Sequence, residues 1–537
     1  MKNRLQALIL CCVLLPLSSF AQKTFQNPII PGFHPDPSVI RVGEDYYLVN
    51  SSFEWFPGIP IYHSKDLVNW KLIGHALTRR LQLDMRSNRA SSGVWAPTIR
   101  YHDGTYYVIV TCKQCGNNFY VTAAKPEGPY SDPVYLETPK GIDPSLFFDN
   151  GKVWFSANRF PEKPQYDGEH IIYVQEIDLN KGELIGERYD ITAGMKYGVR
   201  ATEGPHQYKV GDTYYLLTAE DMTWEKHMVV TYASKSPTGP YQLLPKNPAL
   251  SHRDKPNSPI QHVGHADLVE TQNGEWWAVV LGVRKIDRSY YLGRETFLVP
   301  VAWQDGAPVF NPGVGEVLMQ DRRPNLPWSP WEQADPVDEF DQEKLGLEWN
   351  FLRTPQTTWW SLEEKGWLKI SLRPEKSTEP TNPSLIAKRF QHFNFTATTK
   401  IDFEPLADNE EAGLIAIQND RFQYRLIIAK AEGKNILKLV KVYNEKRKVL
   451  TENIVTMREY QGEKVLAVAV NGLDLQFMAG KSKNSLQKIG GIQDASVLSS
   501  HVAGGFTGAY VGMYASSNGR QSSNAAFFDW FEYKVTK

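Results

Sequence analysis

The sequence predicts an all-β chain, a five-bladed β-propeller followed by a β-sandwich. Three observations carry that prediction. A short motif recurs five times, each copy followed by Gly or Asn-Gly and then a pair of large residues in an apolar strand. Short runs rich in Val, Ile, Tyr and Trp, bounded by Gly, Pro, Asn or Asp, fill the chain with little helical periodicity. A proline-rich break then separates the repeats from a last stretch of strands without the motif.

The five units open at Asp36-Pro37-Ser38, Ala96-Pro97-Thr98, Asp143-Pro144-Ser145, Gly204-Pro205-His206 and His265-Ala266-Asp267. Their glycines are Gly43, Gly104, Gly151, Gly211 and Gly274, and their pairs Tyr46-Tyr47, Tyr106-Tyr107, Val153-Trp154, Tyr214-Tyr215 and Trp276-Trp277. The steps between units are 60, 47, 61 and 61 residues. Units of that size cannot bury their own apolar faces, so they stack, and radial stacking gives a propeller of one blade per unit. A chance pattern on a β-sandwich is the competing explanation, and five matched units weigh against it.

At 537 residues the chain exceeds one ordinary core, so domains of roughly 100–250 residues are expected. Lys2 and Arg4, the apolar run 7–17 and Ser19-Phe20-Ala21 read as a cleavable secretory leader over 1–21, so a periplasmic or extracellular protein is expected. Residues 22–320 form the propeller. Residues 321–337, with several prolines, form a linker, and 338–537 the sandwich. Within the last part, 367–372, 413–418, 422–429 and 465–479 alternate or run apolar like strands.

Lys plus Arg number 59 against 60 Asp plus Glu, which leaves no field for nucleic acid or an anionic membrane. No run after the leader is long enough to enter a membrane. A neutral partner is expected. The 15 Trp and 26 Tyr supply flat faces that suit sugars, although an all-β core is aromatic-rich in any case. The sequence assigns no oligomeric state. Behind the leader only Cys112 and Cys115 remain, too few for structural zinc; a local disulfide and two idle thiols near a hairpin turn both stay open.

In a propeller the innermost strand of each blade lines the central channel, so the openings of the repeats converge. That brings Asp36, Asp143 and Glu203 together with His265. Three mutually repelling carboxylates are more often functional than structural. Glycosidic hydrolysis needs one acid to protonate the leaving oxygen and one carboxylate to activate water or attack carbon, and a third raises the acid's pKa by repulsion. Singly, an Asp before Pro-Ser is an ordinary turn former.

These motifs resemble glycoside hydrolase family 43, the five-bladed β-xylosidases and α-L-arabinofuranosidases, over nearly the whole mature chain. The stretch from Asn27-Pro28 through His34-Pro35-Asp36-Pro37-Ser38 to Gly58 is similar to the family's opening. The resemblance implies Asp36 as general base, Asp143 as pKa modulator and orienting residue, and Glu203, in Thr202-Glu203-Gly204-Pro205-His206, as general acid. It implies His265 as a channel-centre residue, bound through water to a calcium or other ion, with no cofactor required. It implies Arg294 on the sugar, and Phe53 and Trp95 as walls of the terminal-sugar pocket. The last domain is similar to a concanavalin A-like sandwich whose loop, with Phe506 as the candidate contact, closes the pocket. The implied function is exo-acting, inverting release of terminal β-D-xylose or α-L-arabinofuranose from hemicellulose oligosaccharides, with acid and base carboxyls roughly 6.5–9.5 Å apart. A retaining furanosidase of the invertase type, whose nucleophile motif is absent, and a non-catalytic glycan-binding propeller are the alternatives.

Overall fold

A computed structural model describes residues 23–192, 200–445 and 449–536. The leader 1–21 lies outside them. Each repeat is a blade of antiparallel strands in simple up-and-down order. The first blade comprises Ser38–Val42, Asp45–Val49, Gly58–Ser64 and Lys71–Leu77, the third Ser145–Asp149, Lys152–Arg159, Ile171–Asp178 and Glu183–Asp190. The second begins with Gly93–His102 and Thr105–Lys113, the fourth with Thr202–Val210 and Thr213–Glu220, and the fifth with Ile260–Glu270 and Trp276–Arg284.

The repeat now has a physical reading. All five paired-residue positions fall in the second strand of their blade. The glycines make the hairpin between strands one and two, all at positive φ (65°, 79°, 74°, 59° and 77°). A Cβ there would meet nothing within 4 Å, so backbone conformation rather than space selects glycine. The opening residues Asp36, Ala96, Asp143, Gly204 and His265 are also left-handed, at φ 53°, 41°, 59°, 57° and 49°. Four of them are not glycine, each at a cost of about 1–2 kcal/mol. Such strain is held where the surroundings over-determine the backbone.

Strand Thr24–Gln26 pairs with Gln320–Arg322, tying the start of the propeller to its end. From there 323–336 runs over blade one, where Trp331 Nε1 donates to the Asn69 carbonyl at 3.2 Å and Ser329 N to Asp66 at 2.9 Å. Val337–Asp338 then enters the sandwich beside Ala525–Val535. Two further sheets face each other in the sandwich. The run 465–479 is a hairpin rather than one strand, Val465–Asn471 with Asp474–Gly480, because Gly472 at φ 58° reverses the chain.

One of the sandwich sheets is not wholly its own. Trp55–Phe56, from the loop inside blade one, pairs with Asn350–Leu352 as its last strand. Trp55 is fully buried and stacks on Tyr510 with ring centroids 3.6 Å apart. Around it the domains exchange bonds: Arg353 N to the Glu54 carbonyl (2.8 Å), Arg389 Nε to the Phe33 carbonyl (2.9 Å) and Thr354 Oγ1 to the Leu83 carbonyl (2.7 Å). Among the described residues no helix is long and apolar enough to cross a membrane.

Candidate active site

Blade topology decides what reaches the channel. A first strand that starts at one face ends at the opposite face, and the second strand returns, so the loop between strands two and three opens beside the repeat's first residue. Those loops are 50–57, 114–116, 160–170, 221–227 and 285–294. Phe53 and Arg294 lie in the first and last of them. Cys112 and Cys115 close the shortest with a disulfide, Cα atoms 5.1 Å apart.

Asp36, Asp143 and Glu203 line one cavity of about 330 Å³ together with Phe53, Trp95, His265, Arg294 and Phe506. Every residue singled out from the sequence is in it. Glu203, however, is not the repeat's first residue but the one before it, in the register that Trp95 holds in blade two. A β-bulge between Glu203 and His206 turns the strand there, and another follows Trp95.

Asp36 is engaged on both oxygens. Arg294 Nη1 donates to Oδ1 at 2.7 Å and Ser51 Oγ to Oδ2 at 2.6 Å; Ser51 in turn accepts from Ala96 N at 2.6 Å. Arg294 Nε and Nη2 are buried with no protein acceptor among the described residues, so two charged donors remain for a ligand. The Arg294 guanidinium also lies over the rings of Phe53 (5.4 Å) and Phe506 (5.8 Å). Gly293, at φ 79°, admits this arrangement: a Cβ there would lie 2.9 Å from Gly508 of the sandwich. Phe506 arrives on that same sandwich loop, pinned by its N–H to Ser91 Oγ at 2.9 Å, and its ring approaches Phe53, Trp95 and Trp224 within about 6 Å.

Burial, and next the charge of Asp36, push the Glu203 carboxyl up to about 7, with Arg294 pulling the other way. Burial, then Glu203 and Asp36, drive Asp143 well above the usual carboxylate range as well. The charge of Glu203 bears on Asp143, so the two do not ionise independently, and their hydrogen bonds decide which one keeps a proton. Gly204 N donates to Asp143 Oδ2 at 3.1 Å, which favours ionised Asp143. Glu203 receives no hydrogen bond among the described residues, so the proton belongs on Glu203. Its nearest basic group, His170 Nδ1 at 4.0 Å, does not form an ion pair, because burial lowers that imidazole's pKa to about 4.

His265 stands edge-on to His206 with centroids 6.3 Å apart, and burial keeps it neutral by lowering its pKa. Calcium takes about 6–8 oxygen ligands. Among the described residues no three His, Cys, Asp or Glu side chains converge to hold an ion. The nearby Asp267 is already saturated by Ser38, Val39 N, Tyr208 and Arg100. This donor set does not fit a directly ligated ion.

Phe160, His170, Arg200, Met222, Thr223 and His227 also line the cavity and escaped the sequence reading. Phe160 and His170 sit on the loop 160–170, Met222, Thr223 and His227 on 221–227, neither of which repeats. The available signal was the length of these loops, set against the face on which blade topology must place them.

A propeller with three convergent acids in a sugar-sized hole, a proton kept near neutrality on one of them and arginine donors left over, defines a carbohydrate-cleaving hydrolase. Residues 25–308 match the family model "Glycosyl hydrolases family 43" and 337–534 that of the "Beta xylosidase C-terminal Concanavalin A-like domain". The chain belongs to glycosyl hydrolase family 43 and is a glycosidase. It is 42% identical to the non-reducing end alpha-L-arabinofuranosidase BoGH43B of Bacteroides ovatus, over 99% of each chain. It is 38% identical to a xylosidase/arabinosidase of Butyrivibrio fibrisolvens, over 94% of this chain and 98% of that one. The solved structure described as Bacteroides ovatus Xyloglucan PUL GH43B superposes with a TM-score of 0.88 at 42% identity, covering 96% of this chain and 100% of that one.

Proposed function

We propose that this enzyme removes single α-L-arabinofuranose or β-D-xylose units from the non-reducing ends of hemicellulose oligosaccharides, with inversion. The observation that carries the reading is the cavity shared by Asp36, Asp143 and Glu203 and closed on one side by Phe506 from the sandwich. A hole walled by Phe53, Trp95 and Phe506 admits a chain end rather than a chain middle, and the full-length relatives act on these two pentoses by name. Asp36 takes a proton from water as it attacks the anomeric carbon. Glu203, whose proton is held by burial and the Asp36 charge, protonates the departing oxygen, and Asp143 orients it. Arg294 binds the sugar. The leader-like first residues support export to a compartment where such oligosaccharides are met. Nitrophenyl α-L-arabinofuranoside and nitrophenyl β-xyloside assayed side by side test it: free pentose is expected from at least one, and release from neither overturns the proposal.

The acid's protonation sets the alkaline limit. A carboxyl at about 7 carries its proton below that pH and loses it above, so kcat/KM is expected to fall tenfold per pH unit beyond about 7. A profile flat to pH 9 would remove Glu203 from the role.

No step requires a metal. If an ion visits His265, it is held through water, since among the described residues no three His, Cys, Asp or Glu side chains converge to ligate it. Dialysis against EDTA is therefore expected to leave kcat/KM within about twofold; a loss restored by calcium contradicts this.

A further inference from the structure

The cavity has two zones. Asp36, Phe53 and Arg294 are 5%, 2% and 8% exposed and form its depth. Phe160, 39% exposed, stands with His170 and Arg200 at its mouth. If the terminal sugar fills the depth, the sugar it leaves behind lies toward the mouth, on the side of Glu203 where the proton is delivered.

The chemistry of His170 is fixed by its neighbours. Ile142 N lies 2.7 Å from Asn158 Oδ1, and a backbone N–H only donates, so the other end of that amide is its NH2. That NH2 faces His170 Nδ1 at 3.2 Å and the Thr202 carbonyl at 3.5 Å. Nδ1 must then accept, which puts the ring's one proton on Nε2. Burial lowers the imidazole's pKa to about 4, so it is neutral near pH 7, and Nε2–H has no acceptor among the described residues. Beside it the Phe160 ring lies 4.7 Å away, centroid to centroid. A directed neutral donor next to an exposed aromatic face matches a sugar, with a hydroxyl on the N–H and the apolar ring face on the phenyl.

We propose that His170 and Phe160 bind the leaving-group sugar, and that His170 Nε2–H donates to one of its hydroxyls. His170 is thus a specificity residue that separates saccharide leaving groups from aryl ones. Because Asn158 bridges Ile142 and Thr202, the residues immediately before Asp143 and Glu203, the donor is held in register with both acids.

The proposal rests on Glu203 being the acid, and the test separates the two. In His170→Phe, kcat/KM on xylobiose or an arabinofuranosyl-xylose disaccharide is expected to drop about 5–10-fold, the worth of one neutral hydrogen bond. On a dinitrophenyl glycoside, whose leaving group offers no hydroxyl, it should stay within about twofold. His170→Gln, which returns an N–H, should recover part of the loss, and Phe160→Ala should show the same split by removing the platform. In a Glu203→Gln background, calorimetry should show disaccharide affinity weakened by His170→Phe and free pentose affinity unchanged, whichever carboxylate is the acid. Equal losses on both substrates, no loss on either, or pentose and disaccharide affinity falling together would each overturn the assignment.

Discussion

Glu203→Ala is expected to lower kcat/KM on an oligosaccharide by roughly 10²–10⁴-fold, and on a dinitrophenyl glycoside by far less. A sugar alkoxide is a poor leaving group and needs the proton as the bond breaks; dinitrophenolate departs without it. Glu203 can supply that proton near neutrality because burial and the Asp36 charge hold its carboxyl at about 7. It is available for transfer because no hydrogen bond from the described residues claims the carboxyl. The variant should also lose the alkaline fall in its pH profile. Equal losses on the two substrates would show that Glu203 serves binding or folding rather than proton donation.

Asp36→Ala is expected to lose as much, roughly 10²–10⁴-fold, on both substrates alike, since water must be activated whatever leaves. The first-formed sugar of the parent enzyme, followed by proton NMR, should carry the inverted anomeric configuration. Retention would make the carboxylate that attacks carbon a nucleophile and end the role of Asp36 as base. Removing Asp36 also strips Arg294 Nη1 of its 2.7 Å partner beside two donors that already lack one. Asp36→Asn, which keeps an acceptor for one of those donors, is the companion variant: it should melt nearer the parent yet be as inactive as the alanine.

The two variants make opposite demands on one cavity, and the repeat exposed both residues, Asp36 as the opening residue of its unit and Glu203 as the residue just before one. Whatever lines a propeller channel must recur with the blade, so a left-handed residue opens all five units, in four of them directly before proline. The aromatic pairs and hairpin glycines recur because every blade repeats the same turn and the same packing. Loops that merely open onto that hub are under no such constraint. Phe53 and Arg294 were legible only through family resemblance, and Phe160, His170 and Thr223 not at all, since length and composition differ from blade to blade. The one-residue offset of Glu203 from Gly204 stood in the sequence but its cause did not: a bulge changes which residue faces inward without changing the motif around it. The reversal at Gly472 was legible but passed over, since Asn471-Gly472 between alternating apolar residues is itself a hairpin signal.

Trp55–Phe56 gives the molecule a seam that belongs to both halves. Two residues earlier in the same loop stands Phe53, a wall of the sugar pocket, so the piece that grips substrate is anchored by backbone pairing to the neighbouring domain. Losing that neighbour would free a fully buried indole, orphan the carbonyls of Phe33 and Glu54, and slacken the pocket wall at once. The partition suggested by the proline-rich stretch is therefore one of sequence and not of autonomy. The halves are expected to melt together, and a propeller severed from its sandwich is no smaller enzyme but an open-sided, aggregation-prone fragment.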